Sequence, residues 1–414
     1  MDSTGRLPRH FYSLDVLRGL AALIIVLWHW KHFFYEGTVL SGFDPARQPL
    51  YAWLRPFYDQ GFRSNDLFFC LSGFIFFWLY GAKVGRGEVS FREFASLRFS
   101  RLYPLHLLTI LLVIAGQAVF FARYRSFFVY EFNTPYFLAL QLTFTSEWGL
   151  HPNFEFSFNG PSWSVSIEVL LYLIFFAFSR FGLNRPWVLA LAAVAGLVLV
   201  KRSNVLLGQG VFSFFLGGLS FHLVERIQRR GLSRRGLAGL VGLTLLAWPL
   251  VGWALDADLP ARLHRSAFPE GSPGTLASAL SDRALAYVPF LGFSLILFPL
   301  SITTLALVEC RRGSLGKRLA FLGHISYSAY LLHFPLQLAF VLVGPRFAPG
   351  SDFYDTPASL LIYFALLIPL SLACYRHFER PAQSFLRARL LPSLAARPGR
   401  GAAVAVAGPT NDAS

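Results

Sequence analysis

Ten runs of apolar residues, most of them close to the ~20 that an α-helix needs to cross a hydrocarbon layer, dictate what this chain can become. They occupy residues 14–34, 66–82, 102–121, 163–181, 187–200, 211–224, 237–255, 286–308, 325–343 and 359–375. The two short runs, 187–200 and 211–224, span if each is extended by a few residues. A bilayer core holds no water to satisfy a bare backbone, so such runs fold as helices that close their own hydrogen bonds. Composition agrees: 55% of the 414 residues are hydrophobic and 14% are charged, against about 25% charged in soluble domains. The expected fold class is all-α, a polytopic transmembrane helical bundle of about ten spanning helices. An eleventh run, 136–146, is too short to cross and is expected to be re-entrant or interfacial.

Charge placement orients these spans. Arg and Lys crowd residues 83–101, 226–235, 311–318 and the tail from Arg376, whereas 147–162 carries Glu147 and Glu155 and no basic residue. If 136–146 does not span, every basic loop falls on one side, cytoplasmic by the positive-inside rule, and both termini join it. The expected organisation is a cytoplasmic segment 1–13, a membrane domain 14–381, and a cytoplasmic tail 382–414 whose Pro/Gly/Ala-rich composition points to disorder. The first apolar run has no small-residue cleavage site behind it, so it reads as a retained helix. The net charge of +15 punctuates apolar runs and forms no solvated basic face, which argues against nucleic acid as a partner. Cys70, Cys310 and Cys374 lie in or beside apolar runs with no metal-ligand spacing, and are read as packing residues.

Polar residues inside the runs are the candidates for chemistry, because an ionisable group in hydrocarbon is expensive and faces protein or water. Arg18 and His29 are eleven positions apart, about 16 Å along a helix axis, and eleven steps of ~100° return them to one face. Arg18 falls at the cytoplasmic end and His29 near the outer one. Asn65 and Asp66 are expected at the outer mouth of the next span, with Ser72 nearer its middle. Arg98 and Arg101 stand at the cytoplasmic mouth of the third span, where a guanidinium cluster with Arg18 suits the phosphates of an anionic cytosolic ligand. The run Pro161-Ser162-Trp163-Ser164-Val165-Ser166-Ile167-Glu168 puts Glu168 at a depth similar to His29, so a carboxylate–imidazole pair is expected there. Late in the chain, Ser326, Tyr330 and His333 share a face. His333 either lines the same cavity or caps a Pro-kinked helix.

Taken in order, these elements resemble the integral membrane acyltransferase family 3, the O-acyltransferases of carbohydrates and some antibiotics. The basic-residue-x10-His signature is met by Arg18 and His29, and the Phe-rich run ending in Ser-Gly-Phe by residues 67–74. Arg98 and Arg101 before Leu-Tyr-Pro, Trp163-Ser164 with Glu168, the Ser326-Tyr327-x-x-Tyr330-Leu331-x-His333 element, and Glu379-Arg380-Pro381 complete the series. The resemblance implies an acyl-CoA donor, acetyl-CoA first, with no metal. It also implies an acceptor hydroxyl on a carbohydrate such as a cell-surface polysaccharide or lipid-linked glycan, and a multi-pass position in a bacterial inner membrane among its lipids. The expected roles are His29 as base oriented by Glu168, Arg18, Arg98 and Arg101 on the donor, and Asn65, Asp66, Ser72, Trp163, Tyr330 and His333 around the acceptor or the oxyanion. Base and cations are expected to line one passage. Two alternatives stand beside this: a macrolide or other small-molecule acceptor, and a transporter or flippase, against which the absence of an internal repeat counts.

Overall fold

The computed structural model describes residues 7–202, 204–267, 285, 287–347 and 351–392. Its helices are α1 (Tyr12–Trp28), α2 (Tyr51–Gln60), α3 (Ser64–Phe76), α4 (Phe91–Tyr124), α5 (Pro135–Leu142), α6 (Trp163–Arg180) and α7 (Pro186–Arg202). They continue as α8 (Val205–Arg230), α9 (Arg234–Asp256), α10 (Leu259–Ala267), α11 (Phe298–Arg312), α12 (Phe321–Phe347), α13 (Pro357–Cys374) and α14 (Arg380–Leu390). One antiparallel hairpin among the described residues pairs Tyr35 with Leu40 and Glu36 with Val39. Among the described residues, nine helical stretches are long and apolar enough to cross a membrane. The 17-residue α7 is an apolar tenth, which is the short run 187–200 extended at both ends. The protein is an integral, multi-pass membrane protein.

One expectation holds and one is revised. The run 136–146 folds as the eight-residue α5, about 12 Å long and unable to span. The start of the expected disordered tail is helical to Leu390 in α14, and α14 packs on α4; residues 393–414 lie outside the described residues. The run expected at 286–308 is helical from Val288 to Arg312, with a π-helical turn at Gly292–Leu297.

Local chemistry sets the helix ends. Ser90 caps α4 by accepting from the Glu93 amide at 3.2 Å, with Glu93 at the third position as in a capping box. Thr356 accepts from Ser359 N at 3.2 Å ahead of Pro357. The start of α1 is held from across the bundle. The buried carboxylate of Glu309 on α11 accepts the amides of Tyr12 and Ser13 at 2.9 Å and the Ser13 hydroxyl at 2.6 Å. A negative group at a helix N-terminus satisfies orphan amides and complements the dipole. This ties the start of the site-bearing helix to α11.

Close packing in lipid relies on small residues. A Cβ at Gly73 of α3 would collide with the Phe214 carbonyl of α8, and one at Gly217 of α8 with the Cys70 carbonyl of α3. The two helices run parallel in direct backbone contact. Around them the core is aromatic: Phe76 stacks on Tyr172 (4.5 Å between centroids), and Phe77 meets Phe175 edge-on. α1 lies between α3 and α12.

Two measurements test this packing. Gly217→Val should destabilise the detergent-extracted protein by about 1–3 kcal/mol, the range for overpacking. Gly239→Val on α9, where a Cβ meets nothing within 4 Å, should leave the unfolding temperature unchanged. Glu147, in the outer loop, is 4% exposed, and burial pushes its carboxyl up to about 8 from 4.5. The folded state therefore binds the extra proton between those values, and stability falls as pH rises through that window. Glu147→Gln should unfold at a higher temperature than the parent at pH 8, with the gap closing towards pH 4.5.

Candidate functional site

A cavity of about 120 Å³ opens between α1, α3, α4, α6 and α12. Helical spacing selects its walls, since residues three and four apart share a face: Asp15 and Arg18, Arg98 and Arg101, and the stripe Ser164, Glu168, Tyr172. Arg18 donates from Nη2 to Asp15 Oδ1 at 2.7 Å and to the Gly323 carbonyl at 3.0 Å. The other Asp15 oxygen meets His10 Nε2 at 2.5 Å. Arg98 is buried, donates to the Tyr80 hydroxyl at 2.8 Å, and lies 5.2 Å from the centroid of the Phe76 ring. Among the described residues, the buried Nε atoms of Arg18 and Arg98 have no hydrogen-bond partner. The guanidinium groups of Arg18, Arg98 and Arg101 on the cavity wall fit an anionic ligand such as a phosphate, although Asp15 already neutralises part of Arg18.

Glu168 belongs to this cationic end. It accepts from the Ser72 hydroxyl at 3.1 Å and from Tyr172 at 2.5 Å, in the field of Arg18 and Arg101. The expected pairing with His29 is therefore not made. Ser164, one turn earlier on the same helix, meets Tyr330, so Glu168 lies on the cationic side of that contact and His29 beyond it.

The cavity ends at Tyr330. Its hydroxyl lies 2.7 Å from Ser164 Oγ and also faces the Pro161 carbonyl and, at 3.4 Å, Asn65 Oδ1. Tyr330 and Ser164 line the cavity, whereas His29 and His333 do not, so the expected single passage is closed here. Asn65 reaches this closure but its neighbour Asp66, about 100° round the helix, turns away. Asp66 is buried, 3.6 Å from Arg63 Nη1. Trp163 stacks on Phe62 (5.8 Å, 22°) and packs beside the closure.

Beyond Tyr330 lies a buried histidine cluster. A backbone carbonyl can only accept, so His29 Nδ1, 3.0 Å from the Ile25 carbonyl, carries the proton. His333 Nδ1 likewise donates to the Tyr330 carbonyl, leaving His333 Nε2 to accept from His29 Nδ1 at 3.2 Å. Both tautomers are thereby fixed, and His29 Nε2 presents a lone pair. The His29 and His333 rings are 4.8 Å apart. This is the geometry of a neutral base with its proton-bearing nitrogen tied down.

The structure thus unites Arg18, Arg98, Arg101, Ser72 and Glu168 at one end, Asn65, Ser164 and Tyr330 in the middle, and His29 with His333 at the other. Sequence reasoning passed over Asp15, Tyr172, His32 and Gln337. The signal for three of them was present: Asp15 is three before Arg18, His32 three after His29, and Gln337 four after His333. Among the described residues no group of three or more His, Cys, Asp or Glu could hold a metal ion.

Comparison with known proteins bears directly on this site. "Protein 2 in picA locus" of Rhizobium radiobacter is 30% identical over 209 residues, covering 48% of this chain and 97% of that protein. "Acyltransferase MdmB" of Streptomyces mycarofaciens is 32% identical over 175 residues, covering 41% of this chain and 38% of that protein. No solved structure matches significantly. The model of the family described as "Acyltransferase domain" matches residues 11–376, from just before α1 through α13 and so across every site residue expected from the sequence. The chain belongs to that family, and it is a membrane acyltransferase.

Proposed function

We propose that this protein is an O-acyltransferase of a bacterial inner membrane that moves an acyl group, acetyl first, from cytosolic acyl-CoA to a hydroxyl of a carbohydrate. The acceptor class is a cell-surface polysaccharide or a lipid-linked glycan. The observation that carries this reading is the division of labour along one bundle. The arginines Arg18, Arg98 and Arg101 line a cavity at the end rich in basic loops, and a lone pair with a fixed tautomer waits at the other.

Arg98 and Arg101, with Arg18 in part, would hold the phosphates of the donor. Glu168, held by Ser72 and Tyr172, would set a negative charge beside Arg18 and Arg101 on the cavity wall. When bound, the acyl-CoA supplies a thioester carbonyl open to attack, with the CoA thiol as leaving group. His29 Nε2 would take the proton of the acceptor hydroxyl, and His333 would share the positive charge through the His29 Nδ1 hydrogen bond. Tyr330 and Ser164, standing between the two ends, would donate to the oxyanion once their mutual contact opens. A base of this kind contributes about 10²–10⁴-fold, so positioning in a dry bundle supplies much of the rest. Membership of an acyltransferase family takes support from the transporter reading.

Membranes containing the protein, incubated with [¹⁴C]acetyl-CoA, should label an endogenous acceptor whose mass spectrum identifies a carbohydrate ester. Absence of covalent label would sink the donor assignment, and label on a small metabolite would move the acceptor to the macrolide class. His29→Ala should lower labelling at least ~100-fold with the same amount of protein in the membrane. The double change Arg98→Ala with Arg101→Ala should raise the apparent KM for acetyl-CoA about tenfold or more. An unchanged KM would remove the arginines from donor binding.

A further inference from the structure

Gln337 of α12 is fully buried and touches the base-bearing segment twice. Its Nε2 donates to the His29 carbonyl at 2.9 Å, and its Oε1 accepts from His32 Nδ1 at 2.9 Å. The first contact fixes the amide's orientation, because a carbonyl cannot donate. The second then fixes the tautomer of His32, whose Nε2 accepts from the Tyr130 hydroxyl at 3.3 Å. Every donor in the chain Tyr130, His32, Gln337, His29 carbonyl points the same way, an arrangement in which each bond polarises the next.

His29 is also where the backbone changes type. The α-helix ends at Trp28 and a 3₁₀ turn runs from His29 to Phe34. The direction of the His29 side chain depends on how that junction is held, and Gln337 holds its carbonyl. Local structure is strained to complete the chain. Val129, a β-branched residue, sits in the left-handed region at φ 64°, which such residues rarely adopt. It thereby presents Tyr130. Gly160 lies under the Tyr130 ring, where a Cβ would collide with it. Costly backbone of this sort is kept where the surroundings over-determine it, often at functional sites.

We infer that Gln337 is a positioning residue for acyl transfer, fixing the His29 junction from α12 while His32 and Tyr130 fix the Gln337 amide. This rests on the proposed role of His29 as base. Two full-chain variants test it in membranes with [¹⁴C]acetyl-CoA and the endogenous acceptor. Gln337→Met fills the volume and removes both bonds. Gln337→Glu keeps the acceptor for His32 and, as a carboxylate, removes the donor to the His29 carbonyl. Each should lower the maximal rate about 10- to 100-fold, the scale of a displaced catalytic group, with the apparent KM for acetyl-CoA and the membrane content of protein unchanged. A parental maximal rate in either variant, a loss carried by KM, or loss of both variants from the membrane would overturn the inference. Wild-type membranes that fail to label would overturn the transfer reading beneath it, an outcome distinct from labelled wild type with unaffected variants.

Discussion

Hydrocarbon cannot solvate an ionisable side chain, and the arrangement of this bundle follows from that exclusion. Arg18, Arg98, Arg101 and Glu168 all sit inside membrane-spanning helices, and they meet in one cavity with Asp15, Tyr80 and Tyr172 as partners. Each charge needs the others, so α1, α4 and α6 are drawn to a common axis that apolar packing alone would not specify. Glycine contacts then let α8 press against α3 from outside. The site is thus a condition of the fold as well as its product.

How far the sequence discloses this depends on the kind of information asked of it. Span count and length were legible, because ~20 apolar residues is a one-dimensional property; even the failure of 136–146 to cross could be read. The convergence of Arg18 with Arg98 and Arg101 was legible from depth and charge sign together. Lateral neighbours were not. Glu168 and His29 were expected at one depth, yet Glu168 lies a turn deeper than the Ser164–Tyr330 contact, bonded to Ser72 and Tyr172, while His29 lies beyond that contact against His333. Asn65 and Asp66 make the same point within one helix: adjacent residues diverge by about 100°, one towards Tyr330 and the other towards Arg63. Periodicity gives the angle between residues of one helix and is silent on the rotation of that helix against its neighbours. Gln337 was hidden differently, as an uncharged residue in an apolar run whose meaning appears only with both of its partners in place.

The two ends of the bundle also differ in how their polar groups are satisfied. At the cationic end, three guanidinium groups share a cavity with two carboxylates, Asp15 and Glu168. Around His29, Nδ1, the backbone carbonyl, and both polar atoms of the neighbouring Gln337 amide are all engaged. An end with more arginines than carboxylates is suited to receiving a ligand whose charge completes it. An end saturated but for one lone pair is suited to holding a group still, since a fully satisfied buried network rigidifies its members.

On the proposed reaction, the Tyr330 closure acquires a purpose that neither end supplies. A thioester is open to hydrolysis, and a base beside water would promote that side reaction as readily as transfer. With Tyr330 bonded to Ser164 and facing Pro161 and Asn65, the cavity that would hold the donor is separated from the base. Transfer then requires those contacts to break, and the partners they release are hydroxyl and amide groups able to donate to the oxyanion. The same few atoms that keep donor and base apart become available at the moment the two are joined. That coupling ties protection of the acyl donor to the onset of chemistry through a single tyrosine.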